Sequence, residues 1–247
     1  MTDKQSPQGV GKVRLIDASA ADGAEKFKKE VDALKEKGNV TVIAIDFTHP
    51  SAVNKNADLY NEMKLPFVMG TTGGDREKLM ESTKSAKNNA VIAPNMCKQI
   101  VAFQAMMEFM ENKYPGAFSG YELSVTESHQ KTKADTSGTA KAVVKSLSVL
   151  TGADFPEESI KKIRSDDESK AFGVPEAFLN GHAHHTYHLE SGDKSVVFEF
   201  KHNVNGRSTY AEGVADAAIF LASRVSAPRS KPKIYNMIDI LEAGAMQ

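Results

Sequence analysis

The chain has 247 residues, a formal net charge of −1 and 26% charged residues. This length suits one or two domains with a substantial core, and the even charge balance excludes a basic surface for nucleic acid. No apolar run approaches the ~20 residues that a membrane-spanning helix needs. The polar start is not typical of a secretory signal, and a single cysteine favours a reducing compartment.

Strand and helix patterns alternate through the first half of the chain. After a strand at 12–17 and a helix at 24–37, a nearly continuous apolar run at 40–47 is typical of a strand buried on both faces of a parallel sheet. The patterns that follow are a helix at 51–64, a strand at 66–69, a helix at 75–87, a strand at 90–93 and a helix at 98–114. This order predicts an α/β fold with a doubly wound parallel sheet.

The second half of the chain has a different pattern. Strands at 182–189 and 195–202 flank Ser191-Gly192-Asp193, which predicts a hairpin. The other patterns are a strand at 121–128, a polar stretch at 129–136, helices at 137–150 and 210–225, and a strand or short helix at 233–241. Strands followed by helices predict an α+β domain with an antiparallel or mixed sheet.

Three loops follow predicted strands of the parallel sheet, at 46–50, 70–74 and 93–96. Ligands of open parallel sheets bind beyond the carboxyl ends of the strands, and glycine lets a ligand approach the backbone. Each loop alone is also explained as an ordinary turn. Three of them at successive strand ends favour a ligand cleft.

One polar segment, 127–140, combines His129 and two lysines with a Ser-Gly-Thr turn at the start of a predicted helix. Ser137 is a good N-cap, and the N–H groups at such a helix start favour a carboxylate or phosphate. Lys133 would complete an anion site. The alternative interpretation is a solvated loop followed by an ordinary capped helix.

The segment ESHQKTKADTSGTA resembles the active-site signature of the dihydrodipicolinate reductase family, Glu-x-His-(His or Gln)-x-x-Lys-x-Asp-x-(Pro)-Ser-Gly-Thr-Ala. Other segments similar to the family, in the family's order, are IDFTHPSAV, LPFVMGTTGGDR, FEFKHNVNGRSTYAEG and KIYNMIDIL. The missing proline and Gln130 are typical of the plant and cyanobacterial branch. The resemblance extends from about Val40 to the C-terminus.

This resemblance implies a truncated Rossmann-like nucleotide-binding domain at 1–121, joined by the tail 209–247. It implies an α+β substrate-binding and oligomerisation domain at 122–208. The implied reaction is the NADPH- or NADH-dependent reduction of 4-hydroxy-tetrahydrodipicolinate to tetrahydrodipicolinate, in lysine biosynthesis through diaminopimelate. The implied partners are a small dicarboxylate substrate and further copies of the chain, as a dimer or tetramer, with no nucleic acid and no membrane.

The same resemblance assigns roles to individual residues. His129 matches the proton donor, and Lys133 matches the lysine that binds a substrate carboxylate and supports proton transfer. The implied substrate-binding residues are Gln130, Ser137, Gly138 and Thr139. The implied cofactor-binding residues are Phe47, Thr48, Gly70, Thr71, Thr72, Asn95 and Arg207. Because Gln130 replaces a second histidine of the bacterial branch, we expect no second imidazole that titrates in the site.

Four further histidines alternate on the predicted strand at 182–189: His182, His184, His185 and His188. No cysteine or carboxylate lies at ligand spacing from them in the sequence. We therefore expect structural or surface roles for these side chains and no bound metal.

Members of the family begin with a Gly-x-x-Gly-x-Met-Gly loop that receives the cofactor pyrophosphate, and this sequence contains no such loop. We therefore expect weak cofactor binding. The missing loop favours an alternative function as a non-catalytic binding or assembly protein, whereas the intact His129 and Lys133 oppose it. A second alternative, an aspartate dehydrogenase-like enzyme, is opposed by the Ser-Gly-Thr-Ala segment. The expected compartment is the cytoplasm or, in a photosynthetic eukaryote, the plastid stroma.

Overall fold

The computed structural model describes residues 2–5, 12–17, 20–227 and 231–246. The prediction that the N-terminal segment is not a secretory signal concerns residues that lie largely outside the described ranges. The chain divides into two compact units, Met1–Val91 with Ala218–Ile234 and Ile92–Ala217 with Tyr235–Gln247. These units are defined by contacts, so the functional domain boundaries at 121/122 and 208/209 stay a prediction. Within the described ranges, no helix is both long enough and apolar enough to cross a bilayer.

The first unit has the α/β character that the alternating patterns predict. Its strands and helices are β1 Thr2–Gln5, β2 Lys12–Leu15, α1 Gly23–Lys35, β3 Ala44–Asp46, α2 Val53–Glu62, β4 Phe67–Met69, α3 Arg76–Ser85 and β5 Ala90–Ile92, whose last residue belongs to the second unit. β1 and β2 form an antiparallel pair. A four-stranded sheet has the order β10-β5-β4-β3, in which β10 is Ile234–Tyr235 and β3 pairs in parallel with β4. This arrangement is Rossmann-like.

The prediction that 40–47 is a strand buried on both faces is wrong. Only Ala44–Asp46 is a strand, and the Ile45 side chain is 53% exposed. Among the described residues, β3 lies at the edge of its sheet, where fewer neighbours cover a strand, whereas β4 lies between two strands and is buried throughout. An apolar run indicates a strand, but it does not indicate which place the strand takes in the sheet.

The second unit is built on a mixed sheet, as predicted. Its other strands and helices are α4 Lys98–Lys113, β6 Tyr121–His129, α5 Gly138–Thr151, β7 Lys161–Ile163, α6 Asp166–Ala171, β8 His182–Ser191, β9 Val197–Asn205, α7 Ser208–Ser226, which continues into the first unit, and α8 Met237–Glu242. The strand order is β7-β6-β8-β9. β6 pairs in parallel with β7 and antiparallel with β8, and β8 and β9 form the predicted hairpin. β7 and α6 were not predicted.

Helix α5 packs its apolar side against this sheet. Val143, Leu147 and Leu150 recur every three or four residues and are buried together with Tyr187 and Leu189 of β8. Spacing of this kind places the side chains on one side of a helix. Each such side chain contributes about 1.5–3 kcal/mol when it is fully buried. The packing fixes the position of the α5 N-terminus relative to the end of β6.

A glycine in α7 allows a close approach to the loop that precedes α4. A Cβ added at Gly213 would lie 1.7 Å from the carbonyl oxygen of Met96. Real Cβ atoms do not come this close to a backbone oxygen, so any side chain at position 213 must push the helix away. The packing of α7 against this loop in the second unit therefore requires glycine at position 213.

We expect Gly213→Ala to lower the free energy of unfolding by about 1–3 kcal/mol, the usual cost of overpacking. Gly181→Ala is the matched control, because the nearest atom to its added Cβ would be 3.9 Å away. Urea denaturation of both variants measures the difference. Equal stability of Gly213→Ala and the wild type would show that α7 does not pack against this loop.

Candidate functional site

The end of β6 carries the residues around which the candidate site of the second unit is built. Glu127 and His129 are two positions apart, so both point to the same side of the sheet. In the antiparallel register, Glu127 lies opposite His185 of β8, and His185 lies opposite His202 of β9. Residues opposite each other on neighbouring strands share a side of the sheet. The register therefore brings one carboxylate and three imidazoles together.

His129 is in direct contact with a second imidazole. Its Nε2 atom lies 3.3 Å from Nε2 of His185, and both side chains are buried. A second imidazole therefore lies beside His129, although the sequence indicated none; whether it titrates in the site stays a prediction. Position 130 is a glutamine and has no imidazole, but His185 of the neighbouring strand β8 supplies one. Neither residue type nor spacing along the chain indicates this contact, because the two histidines are 56 positions apart.

Burial keeps these imidazoles uncharged at neutral pH. Burial, together with the nearby positive charges of Lys133 and Arg164, lowers the pKa of His129 to about 3. Burial also lowers the pKa of His202 to about 4. The pKa of His185 is held well below 6.5, first by burial and then by His202. The free protein therefore has neutral rings around His129.

Glu127 is the charged centre of the cluster. Its side chain has no solvent exposure and forms an ion pair with Arg164. Its Oε2 atom accepts a hydrogen bond of 3.0 Å from the backbone N–H of Ser137 and lies 3.8 Å from Nε2 of His185. A buried carboxylate needs such partners in place of water. No sequence pattern assigned a role to Glu127 or pointed to Arg164.

One atom each from Glu127, His129 and His185 lies within 4.8 Å of the others, a spacing that would suit a metal ion. The guanidinium group of Arg164 already balances the carboxylate charge, and its own charge opposes a further cation. We therefore assign no metal to this cluster.

The predicted substrate-binding lysine lies in the loop after β6. Nζ of Lys133 forms a 2.7 Å ion pair with Asp135, and the Lys133 side chain is 18% exposed. Desolvation is the largest single effect on the pKa of Asp135 and would raise it, but the hydrogen bond and charge of Lys133, with smaller contributions, together lower that pKa. Gln130 is half-buried, and its carbonyl accepts the backbone N–H of Lys133 at 2.9 Å. The ammonium group is thus held close to the loop and partly open to solvent.

The Ser-Gly-Thr turn opens α5 as predicted, but Ser137 does not cap it with its side chain. Instead, the backbone N–H of Ser137 donates to Glu127. Thr139 is buried, and its Oγ1 accepts a 2.9 Å hydrogen bond from Nδ2 of Asn95. Oδ1 of Asn95 accepts the backbone N–H of Cys97 at 2.8 Å. The loop before α4 is therefore joined to the start of α5.

Two predicted cofactor loops meet in the first unit. Asp46 is fully buried at the end of β3, and its Oδ1 accepts hydrogen bonds from Thr48 Oγ1 at 2.7 Å and Thr71 Oγ1 at 3.0 Å. Its Oδ2 accepts bonds from Asn56 and Tyr60 of α2, at 2.8 and 3.0 Å. Desolvation would raise the pKa of Asp46, but the hydrogen bonds outweigh it and lower that pKa. No sequence pattern assigned a role to this carboxylate.

Phe47 and Gly70 are in close contact within the same unit. A Cβ at Gly70 would lie 2.2 Å from the Phe47 ring, and the ring is nevertheless 51% exposed. Thr72 is half-buried in the same loop. Arg207, by contrast, is exposed between β9 and α7 of the second unit. The structure thus groups Phe47, Thr48 and 70–72 in one unit and places Asn95 and Arg207 in the other.

The remaining histidines of β8 have structural or surface positions, as expected. Nε2 of His182 lies 2.8 Å from Ser128 Oγ, and Nε2 of His184 lies 2.9 Å from Asn205 Oδ1. Both side chains are buried, whereas His188 is 36% exposed. Only His185 joins the cluster around His129.

Comparison with known proteins gives consistent results along the chain. The family model "Dihydrodipicolinate reductase, N-terminus" matches residues 4–96, and "Dihydrodipicolinate reductase, C-terminus" matches residues 100–241. The chain is 50% identical over 226 residues to 4-hydroxy-tetrahydrodipicolinate reductase 1, chloroplastic, of Arabidopsis thaliana, which covers 91% of this chain and 64% of that protein. It is 53% identical over 207 residues to a probable chloroplastic reductase of the same name from Oryza sativa subsp. japonica, covering 83% and 60%.

A bacterial relative, the 4-hydroxy-tetrahydrodipicolinate reductase of Ralstonia nicotianae, is 28% identical over 97% of this chain and 87% of its own length. The dihydrodipicolinate reductase of Paenisporosarcina sp. TG-14 has a similar fold, with a TM-score of 0.52 at 16% identity, over 83% of this chain and 75% of that one. The chain spans between 59% and 64% of the length of the plant relatives.

The lowered pKa values of the histidine cluster predict how stability depends on pH. An unfolded histidine takes up a proton near pH 6.5, whereas His129 and His202 stay neutral in the folded protein down to about pH 3 and 4. Protonation therefore favours the unfolded state, so stability is complete above about pH 6.5 and decreases as the pH falls towards 4.

We expect His202→Phe to make this decrease shallower, because it removes an imidazole whose pKa is lowered in the folded protein. The substitution breaks no hydrogen bond, since neither ring nitrogen of His202 has a hydrogen-bond partner among the described residues. Melting temperatures between pH 7.5 and 4.5 measure the slope. His188→Phe, which changes a more exposed imidazole outside the cluster, should leave the slope as in the wild type. An unchanged slope in His202→Phe would contradict a neutral buried ring at position 202.

Proposed function

The chain belongs to the dihydrodipicolinate reductase family, and we propose that it catalyses the NADPH- or NADH-dependent reduction of 4-hydroxy-tetrahydrodipicolinate to tetrahydrodipicolinate in lysine biosynthesis. The observation that carries this proposal is the identity of half the aligned residues to a plant reductase over 91% of the chain. The same identity favours an enzyme over a non-catalytic binding or assembly protein. The two family models disfavour an aspartate dehydrogenase-like enzyme.

In the proposed reaction, a nicotinamide would supply a hydride to the substrate ring when bound, and with the added proton the 4-hydroxyl group would leave as water. The ammonium group of Lys133 and the N–H groups at the start of α5 bind the substrate carboxylates. The Lys133 side chain is 18% exposed and its partner Asp135 is 50% exposed, so a carboxylate of the substrate can compete for the ammonium group. The first N–H groups of a helix have no partners within the helix, and they favour negative charge.

His129 is the proposed proton donor, although its low pKa leaves it unprotonated in the free protein at neutral pH. The bound dicarboxylate would offset the positive charges of Lys133 and Arg164, which contribute to that low pKa. We therefore propose that His129 takes up its proton together with the substrate. His185, which is 3.3 Å away, can share or relay this proton.

The proposed roles predict separate effects for the two residues. His129→Ala should lower kcat by about 10²–10⁴-fold, the usual contribution of a general acid. Lys133→Ala should mainly weaken the binding of pyridine-2,6-dicarboxylate, since it removes a charge-assisted hydrogen bond. Steady-state kinetics and calorimetry measure the two effects.

Matched controls lie close by in the chain. His188→Ala and Lys131→Ala remove exposed or half-exposed groups of the same chemistry, and we expect wild-type kinetics from both. Full turnover in His129→Ala would exclude proton transfer by this residue, and unchanged dicarboxylate affinity in Lys133→Ala would exclude this lysine from the site.

We further propose that Phe47, Thr48, Gly70, Thr71 and Thr72 contact the nicotinamide end of the cofactor, and that Asn95 and Arg207 also contribute. The shared hydrogen bonds of Asp46 support this assignment for the first-unit loops, because they hold Thr48 and Thr71 in one arrangement. The close packing of Phe47 on Gly70 supports it further, since a side chain at position 70 would displace the ring.

This assignment predicts that Asp46→Asn weakens cofactor binding by about tenfold or more, because the new amide places a donor where Asp46 accepts five hydrogen bonds. Calorimetric titration with NADPH and NADH measures the change, and the wild-type value also tests the expectation of weak binding. Asp58→Asn, on the exposed side of α2, is the control. Equal affinity of Asp46→Asn and the wild type would remove these loops from the cofactor site.

We also propose a homo-oligomer in the plastid stroma. The names of the plant relatives place those proteins in the chloroplast, which supports the compartment. Val197 and Phe198, which lie in the edge strand β9, are 50% and 41% exposed, and this supports association through the second unit. Light scattering of the purified chain would give the number of copies.

A further inference from the structure

A single arginine connects three segments of the second unit. Arg164 follows β7, and its Nε donates to the carbonyl oxygen of Lys133 at 2.8 Å. Its Nη2 donates to the carbonyl oxygen of Asp135 at 3.2 Å and also contacts Oε1 of Glu127. Its Nη1 donates to the carbonyl oxygen of Ile163 at 2.9 Å. Since a guanidinium group is planar and rigid, these bonds fix the loop backbone relative to β6 and β7.

The carboxylate of Glu127 extends this connection to the other end of the loop. One oxygen pairs with Arg164, and the other accepts the backbone N–H of Ser137 at 3.0 Å. The Glu127 side chain is fully buried, and that of Arg164 is 19% exposed. The pair therefore contacts the loop at positions 133, 135 and 137, through backbone atoms in every case.

These backbone contacts bear directly on the two groups that bind anions in the proposed function. Lys133 carries the ammonium group, and Ser137 immediately precedes α5, whose first N–H groups would bind an anion. The distance between these two binding groups depends on the path of the loop that joins them. The two carboxylates of a substrate ring are a fixed distance apart, so both can bind only when the two binding groups are held at a matching distance.

We propose that the buried Glu127–Arg164 pair is a positioning device that sets the spacing between Lys133 and the start of α5, and so selects a rigid dicarboxylate. This inference rests on the proposed function for the identity of the ligand. Neither residue needs to touch the substrate. Glu127 is enclosed and balanced by Arg164, so it is not available as a general base or as a ligand to a free cation.

The first test measures the loop without any ligand. Arg164→Lys keeps the positive charge beside Glu127 but loses the planar fork, so the second unit can still fold while the bonds to Lys133 and Asp135 are lost. Hydrogen–deuterium exchange of the amides at 131–139 should become about tenfold faster or more, as expected from the loss of one charge-assisted hydrogen bond. Glu176→Gln, which breaks an exposed ion pair with Lys170, is the matched control and should not change this exchange.

The second test measures ligand spacing with pyridine-2,6-dicarboxylate and with the monocarboxylate pyridine-2-carboxylate. In Arg164→Lys, the affinity for the dicarboxylate should fall by about tenfold, whereas the affinity for the monocarboxylate should change by less than about twofold. A general loss of packing would weaken both ligands alike. Guanidinium ion added to Arg164→Ala should restore part of the dicarboxylate affinity, and Glu127→Gln should behave as Arg164→Lys does.

The outcomes separate this inference from the proposed function. Unchanged exchange at 131–139 in Arg164→Lys would overturn the positioning device, whatever the ligand. Faster exchange with an equal loss of affinity for both ligands would overturn the selection of a dicarboxylate. If the wild-type chain bound neither ligand, the proposed substrate site would be wrong. The proposed selection of a dicarboxylate would then also be wrong, even if hydrogen–deuterium exchange at 131–139 became faster in Arg164→Lys.

Discussion

A fully buried carboxylate, Glu127, is the constraint on which the candidate site depends. Removing a charge from water costs several kcal/mol unless polar partners replace the water. Here the partners are Arg164 and the backbone N–H of Ser137, and both come from segments that follow β6 in the chain. The loop and the start of α5 are therefore arranged around the needs of one side chain. Much of the local geometry follows from satisfying that charge.

The same burial explains the state of the histidines. Arg164 adds positive charge to a region with little solvent, and this disfavours a second cation on His129 or His185. The result is a set of neutral rings that can accept protons, close to the partly exposed ammonium group of Lys133, which favours negative ligands. Binding of an anion and uptake of a proton are thus two consequences of one charge distribution.

The sequence predicted the alternation of elements and the segment at 127–140, because both depend on local patterns. It located the end of β6 and the start of α5 within one residue. It did not predict β7, because three residues are too few to show a period. Since Arg164 directly follows β7, its position beside Glu127 could not be predicted either. The contact of His129 with His185 depends on strand register between distant segments. The edge position of β3 depends on sheet order, which an apolar run does not encode.

The histidine-rich sequence of β8 also has a consequence for folding. His184 and His185 are adjacent, so a slip of β8 by one residue against β6 would still place an imidazole opposite Glu127. Because side chains alternate between the two sides of a strand, that slip would turn Tyr187 and Leu189 out of the core, where both are now completely buried. The polar cluster alone therefore does not specify its own register. The aromatic and aliphatic residues further along β8 distinguish the native pairing from a misfolded one that resembles it at the site.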